Sequence, residues 1–175
     1  MAKVTYRICV LLVVLFCAAA CLGQTCVEQV YTSQMGKREA TGRNDGAHIC
    51  EYMKAVKLAC DKGYAYCTSG VKWTFDQCGI KTNITAWSPS AHNPKNVVMM
   101  HGKYLKEPKP GDVFTIWSVS KKRIAHGSFF HRKVNESIYI SAEFNTNSGG
   151  SRDGDGNYFR RRSIHQTYSI TRWIE

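Results

Sequence analysis

At 175 residues, with 24 basic against 13 acidic side chains and a formal net charge of +11, the chain has the length of one domain with a sizeable core and a charge that favours anionic partners. No run of five or more basic residues occurs, the densest cluster being Arg160-Arg161-Arg162, and no basic motif with interleaved aromatics is present, so no nucleic-acid partner is expected. Neither a glycine-rich phosphate loop nor a βαβ pattern is found, which sets aside the nucleotide-binding parallel-sheet classes.

Lys3 and Arg7 precede an uncharged apolar run, Ile8 to Ala20, with small residues at Ala18-Ala19-Ala20 and Gly23. That is the pattern of a secretory signal peptide over residues 1–23, and the run is short for a membrane span of about 20 residues. Export leaves residues 24–175 as one domain, secreted or periplasmic, without a transmembrane segment, and a monomer is expected. A lipid anchor on Cys21 is the alternative. A first helix is predicted over residues 26–35, before the polar loop "GKREATGRNDG". Asp45 then caps a second helix reaching about Cys60, with Ile49, Met53 and Val56 at the spacing of one helix face. Gly63 ends it. A third helix starts near Cys67, carries Val71, Phe75 and Cys78 along one face, and stops at Gly79. Thr82 to Pro110 reads as loop, with an isolated apolar patch "VVMM". Five strand candidates follow: "VFTIWS", "IAHGSFF", "SIYISAEF", "NYFRRRSI" and "TYSITRWI". The predicted class is α+β, N-terminal helices followed by an antiparallel sheet of about five strands.

Beyond the signal lie Cys26, Cys50, Cys60, Cys67 and Cys78, an odd number, so an oxidising compartment leaves one thiol over. Cys67 and Cys78 on one helix stand about 16 Å apart, beyond bridging range, and Cys50 and Cys60 are excluded in the same way on a continuous helix. Antiparallel packing of the helices in chain order then predicts Cys26–Cys60 and Cys50–Cys78. Cys67 is left free at a helix start, where unpaired N–H groups and the helix dipole favour a thiolate.

In order along the chain, "GYAYCTSGVKWTFDQCGI", "KPGDVFTIW", "IAHGSFF" and "AEFNTN" resemble the motifs of the CHAP family of cysteine amidases and peptidases, relatives of NlpC/P60. The resemblance spans roughly residues 45 to 174. It implies a papain-like α+β domain that cleaves amide bonds of peptidoglycan, with cell-wall fragments as partners and no cofactor or metal. Carried over by position, Cys67 is the nucleophile, His126 the general base, Glu143 the residue that orients the histidine, and Asn145 the polar fourth member. Asp112, in the Pro-Gly-Asp turn, takes a structural role. Glu143 and Asn145, two apart on a strand, are expected on one face. The chain departs from the family pattern at Tyr66, at Thr68-Ser69-Gly70, at Gly127-Ser128, and at Phe144, which stands where the family has glycine and is expected to crowd the site. A catalytically silent module of the same fold that binds wall or another anionic polymer is the rival reading.

His92, His101, His131 and His165 share no metal-ligand spacing, and His48 falls in the first turn of the second predicted helix. Trp73, Trp87, Trp117 and Trp173 read as core or cleft wall rather than as a carbohydrate platform, with Trp87 the best candidate for the cleft.

Overall fold

The computed structural model describes residues 25–147, 149 and 154–174; the signal-peptide and Cys21 assignments lie outside the described residues. Three helices come first: α1 (Cys26–Gln34), α2 (Ala47–Ala55) and α3 (Cys67–Gln77). Seven strands follow: β1 (Val97–Met100), β2 (Lys103–Tyr104), β3 (Val113–Ser118), β4 (Arg123–Lys133), β5 (Ile138–Thr146), β6 (Gly156–Ser163) and β7 (Ser169–Thr171). Short 3-10 helices at Ser88–Ala91 and Ile164–Gln166 mean that the helical segments are not all N-terminal. The strands form one sheet in the order β2-β1-β7-β3-β4-β5-β6, and every pairing is antiparallel. The α+β class stands, with seven strands in place of five. The patch "VVMM" is strand rather than loop, because Val98 and Met99 are fully buried and pair through β1 with β7.

The sheet is buried on both faces. Consecutive residues Val113 and Phe114, and Phe129 and Phe130, enter different hydrophobic clusters, as strand alternation requires. On one face Val113, Phe129, Ala142 and Phe144 meet the helices through Tyr31, Tyr52, Val71 and Phe75. On the other, Phe114, Phe130 and Tyr139 pack with Val98, Met99, Ile164 and Ile170.

Helix α1 is capped by Thr25, whose hydroxyl accepts the Glu28 N–H at 3.2 Å. Asp45 does not cap α2: it accepts the N–H and hydroxyl of Thr41 within the preceding loop, and the cap position falls to Gly46 at φ 129°. Helix α2 also ends earlier than predicted. Lys57 adopts a left-handed φ of 58°, Leu58 N–H bonds the Met53 carbonyl at 3.0 Å, and the chain turns back. That reversal brings Cys60 beside Cys50, at a Cα separation of 4.7 Å. The disulfides are therefore Cys50–Cys60 and Cys26–Cys78, not Cys26–Cys60 and Cys50–Cys78. The start of α1 meets the end of α3. Cys67 is the free cysteine among the described residues, and it is buried. No helix among the described residues is long and apolar enough to cross a membrane.

Candidate active site

Cys67 is the first residue of α3. The position before it, Tyr66, makes no side-chain cap, and the first intrahelical bond runs from Gly70 N–H to the Tyr66 carbonyl at 2.9 Å. The earlier N–H groups of the helix thus have no acceptor within it, which leaves its positive end directed at the thiol. Gly70 lets this helix lie close on β5. A Cβ there would stand 2.3 Å from Phe144 Cγ. Phe144 is accordingly fully buried against Gly70, Tyr52 and Phe129, so it fills the interior and does not crowd the site as expected from its place in "EFN".

The Cys67 thiol stands beside the His126 imidazole, close enough for each to shift the other's ionisation, and His126 Nε2 lies 3.0 Å from Glu143 Oε2. Nδ1 is therefore the ring nitrogen that serves the thiol. The strand β4 shifts register beside His126: Ile116 and Trp117 pair with His126 and Ile124, leaving Ala125 as an extra residue. Bulges of this kind re-aim neighbouring side chains.

Glu143 is fully buried. It accepts from Arg162 through both oxygens, Nε to Oε1 at 2.7 Å and Nη2 to Oε2 at 2.6 Å, and from the Ser141 hydroxyl. Burial pushes the carboxyl up, but the Arg162 and His126 bonds outweigh it and hold Glu143 well below the ordinary carboxylate range. Burial likewise opposes charge on His126, yet its bonds to Cys67 and Glu143 raise it to about 9. For Cys67, burial raises the thiol while His126, the Ser88 hydroxyl and the Gly127 backbone lower it, to about 7. These shifts favour a thiolate beside an imidazolium as pH rises through about 7, with an ionised carboxylate behind it.

The structure brings Cys67 beside His126, and His126 onto Glu143 through a hydrogen bond. Asn145 is placed differently. Between Glu143 and Thr146 strand β5 gains one residue on β6, and Asn145 sits there at a left-handed φ of 52°. The period of two fails across that bulge, so Glu143 points into the interior while Asn145 lines the cleft wall, its amide donating to Asn44 Oδ1 at 3.1 Å. Nε2 of His126 is taken by Glu143, and the Asn145 amide is turned to Asn44 instead. Cys67, His126, Asn145 and Arg162 line a cleft of about 650 Å³.

Compared with family models, curated proteins and solved structures, the chain matches none. Two members of the site were not found from the sequence. Arg162 stands in the sequence only as one of the basic cluster Arg160-Arg161-Arg162; strand alternation separates exposed Arg161 from Arg160 and Arg162 on the other side. Ser88, whose hydroxyl lies 3.7 Å from Cys67 Sγ, belongs to the short 3-10 helix after Trp87 and carried no motif. Trp87 itself is 61% exposed and does not line the cleft. Asp112, in its turn, accepts the Lys109 N–H at 2.8 Å and a two-point contact from Arg172. No group of three or more His, Cys, Asp or Glu side chains placed to hold a metal occurs among the described residues.

Proposed function

We propose that the protein is an exported cysteine hydrolase of the papain-like CHAP type that cleaves amide bonds of peptidoglycan. The observation that carries the reading is the chain Cys67–His126–Glu143, with the thiol at an uncapped helix start and the imidazole held by a buried, charge-paired carboxylate. A free nucleophile, a base and an orienting acceptor within hydrogen-bond reach are what nucleophilic catalysis at an amide requires.

The thiolate of Cys67 attacks the amide carbonyl, and the electron pair of its π bond moves onto oxygen. The Cys67 N–H at the start of α3 is aimed at that oxyanion, and Ser88 is the nearby hydroxyl donor that completes the pocket. As the tetrahedral intermediate collapses, the C–N bond breaks and the imidazolium of His126 gives its proton to the leaving amine. His126, now neutral, takes a proton from water, which hydrolyses the thioester and restores the ion pair. Glu143 keeps the ring in place throughout, and Arg162 keeps Glu143 ionised.

Digestion of purified peptidoglycan by the wild type and by Cys67→Ala, followed by mass analysis, tests the reading. New amine and carboxylate ends released by the wild type alone are expected. Identical products from both proteins, or none from either, would defeat it.

A further inference from the structure

Beside the cleft runs a second groove of about 770 Å³, lined by His101, Ile116, Trp117, Arg162, His165, Gln166, Thr167 and Tyr168. Ile116 and Arg162 line both spaces, so the two adjoin. We propose that this groove is a saccharide subsite, in which a pyranose of the glycan strand stacks on Trp117 while the amide to be cut lies at Cys67. The inference rests on the peptidoglycan reading for its choice of sugar, an N-acetylated β-linked hexosamine.

The floor is aromatic. Trp117 stacks on Tyr168 with centroids 5.5 Å apart and planes at 29°, and it remains 45% exposed although it lies on a central strand of the sheet. A tryptophan at such a place exposes apolar area to water unless something covers it. His101 meets Tyr168 edge-on at 5.0 Å, and His165 and Gln166 bring further ring nitrogens and a carboxamide to the rim. A pyranose presents an apolar C–H face with hydroxyls around its edge, which matches a stacked floor with hydrogen-bonding groups around it.

The floor is also held in place before any ligand arrives. Tyr168 N–H bonds the Thr115 carbonyl at 2.8 Å, its own carbonyl accepts from His101 N–H at 3.0 Å, and Thr167 Oγ1 and Tyr139 OH lie 2.8 Å apart. Such preorganisation lowers the ordering cost of binding. Charge selects the ligand class. No carboxylate lines the groove, and the one arginine there, Arg162, is paired with Glu143. That favours a neutral polyhydroxylated ring over an anionic group or a cationic side chain.

The test is an isothermal calorimetric titration of the disulfide-bonded protein with chitotetraose, whose acetamides are not the amide that joins the glycan strand to its peptide. Saturable binding is expected, weakened at least about tenfold in Trp117→Ala and about threefold in His165→Ala, and unchanged in Cys67→Ala. Circular dichroism of Trp117→Ala, an exposed position, checks that the variant is folded. No saturation with the wild type, or equal affinity in folded Trp117→Ala, would overturn the proposal. The two readings part cleanly. Wall digestion without chitotetraose binding removes the subsite alone, whereas chitotetraose binding without digestion removes the hydrolase and leaves the subsite.

Discussion

Between Cys67 and His126 one proton is held by two opposed influences. Burial favours the neutral pair, whereas Glu143 behind the ring and the uncapped helix start favour the charged one, leaving the thiol at about 7 and the imidazole at about 9. Alkylation by iodoacetamide is therefore expected to rise as pH passes about 7 in the wild type, and at pH 7 to fall by about tenfold or more in His126→Ala, where burial is no longer opposed by a cation. Hydrolysis needs both charges, so kcat/KM against pH should be a bell with limbs near those two values. Arg162 acts one residue further back. Its removal takes away the two-point cation of a fully buried carboxylate and leaves His126 as the one charged partner, so Arg162→Met is expected to cost about 3 kcal/mol in urea unfolding at pH 7. The sign with pH follows from the direction of the Glu143 shift. Its folded value is lowered, so its stabilisation is complete above the unfolded carboxylate value of about 4.3 and is lost as pH falls below it. The wild type should lose more stability than Arg162→Met between pH 7 and pH 3.

At the scale of elements, the contact of α3 with β5 places Cys67, the proposed nucleophile, and it depends on a complementary pair, Gly70 and Phe144. Gly70→Ala would drive a methyl into the Phe144 ring and is expected to cost about 1–3 kcal/mol, with a raised KM or lowered kcat as Cys67 moves. In Gly70→Ala/Phe144→Ala the two costs should be less than additive, because the small side chain leaves the methyl its space; a thermal-melt double-mutant cycle measures this. Much at this scale was legible. The start and stop of α3 were marked by "GYAYC" and Gly79, and five of the strands, β3 to β7, by β-branched and aromatic runs. The end of α2 was not marked, because the left-handed turn falls on Lys57, a residue with no bias toward it, and the disulfide pairing went wrong with it. The bulges at Ala125 and at Phe144–Asn145 were equally hidden, since an extra residue leaves the apolar pattern nearly intact. Cys67, His126 and Glu143 could be placed because they sit in ordered motifs. Arg162 and Ser88 join them only through strand register and loop packing, which no local pattern records.

For the molecule as a whole, the net charge of +11 is spread over the chain rather than gathered in one run. Attraction to any anionic polymer, the proposed wall substrate included, is then long-range and screened by salt. Sedimentation of Cys67→Ala with insoluble peptidoglycan should fall as salt is raised from about 0.05 to about 0.5 M, whereas chitotetraose binding, which involves no ligand charge, should not change. The free thiol has a second consequence, for refolding. Cys67 is 5% exposed in the native chain, in a molecule whose other four described cysteines are joined in two disulfides. Once heat exposes it, its thiolate attacks either cystine, and the exchange spreads the cross-links over non-native isomers that cannot fold back. After heating at pH 8 and cooling, the wild type is expected to recover its native signal incompletely and to show mixed disulfide isomers on a non-reducing gel, whereas Cys67→Ala should recover fully. Chemical reactivity at that position is thus matched by a limit on reversibility, and the folded state is what keeps a single set of cross-links in place.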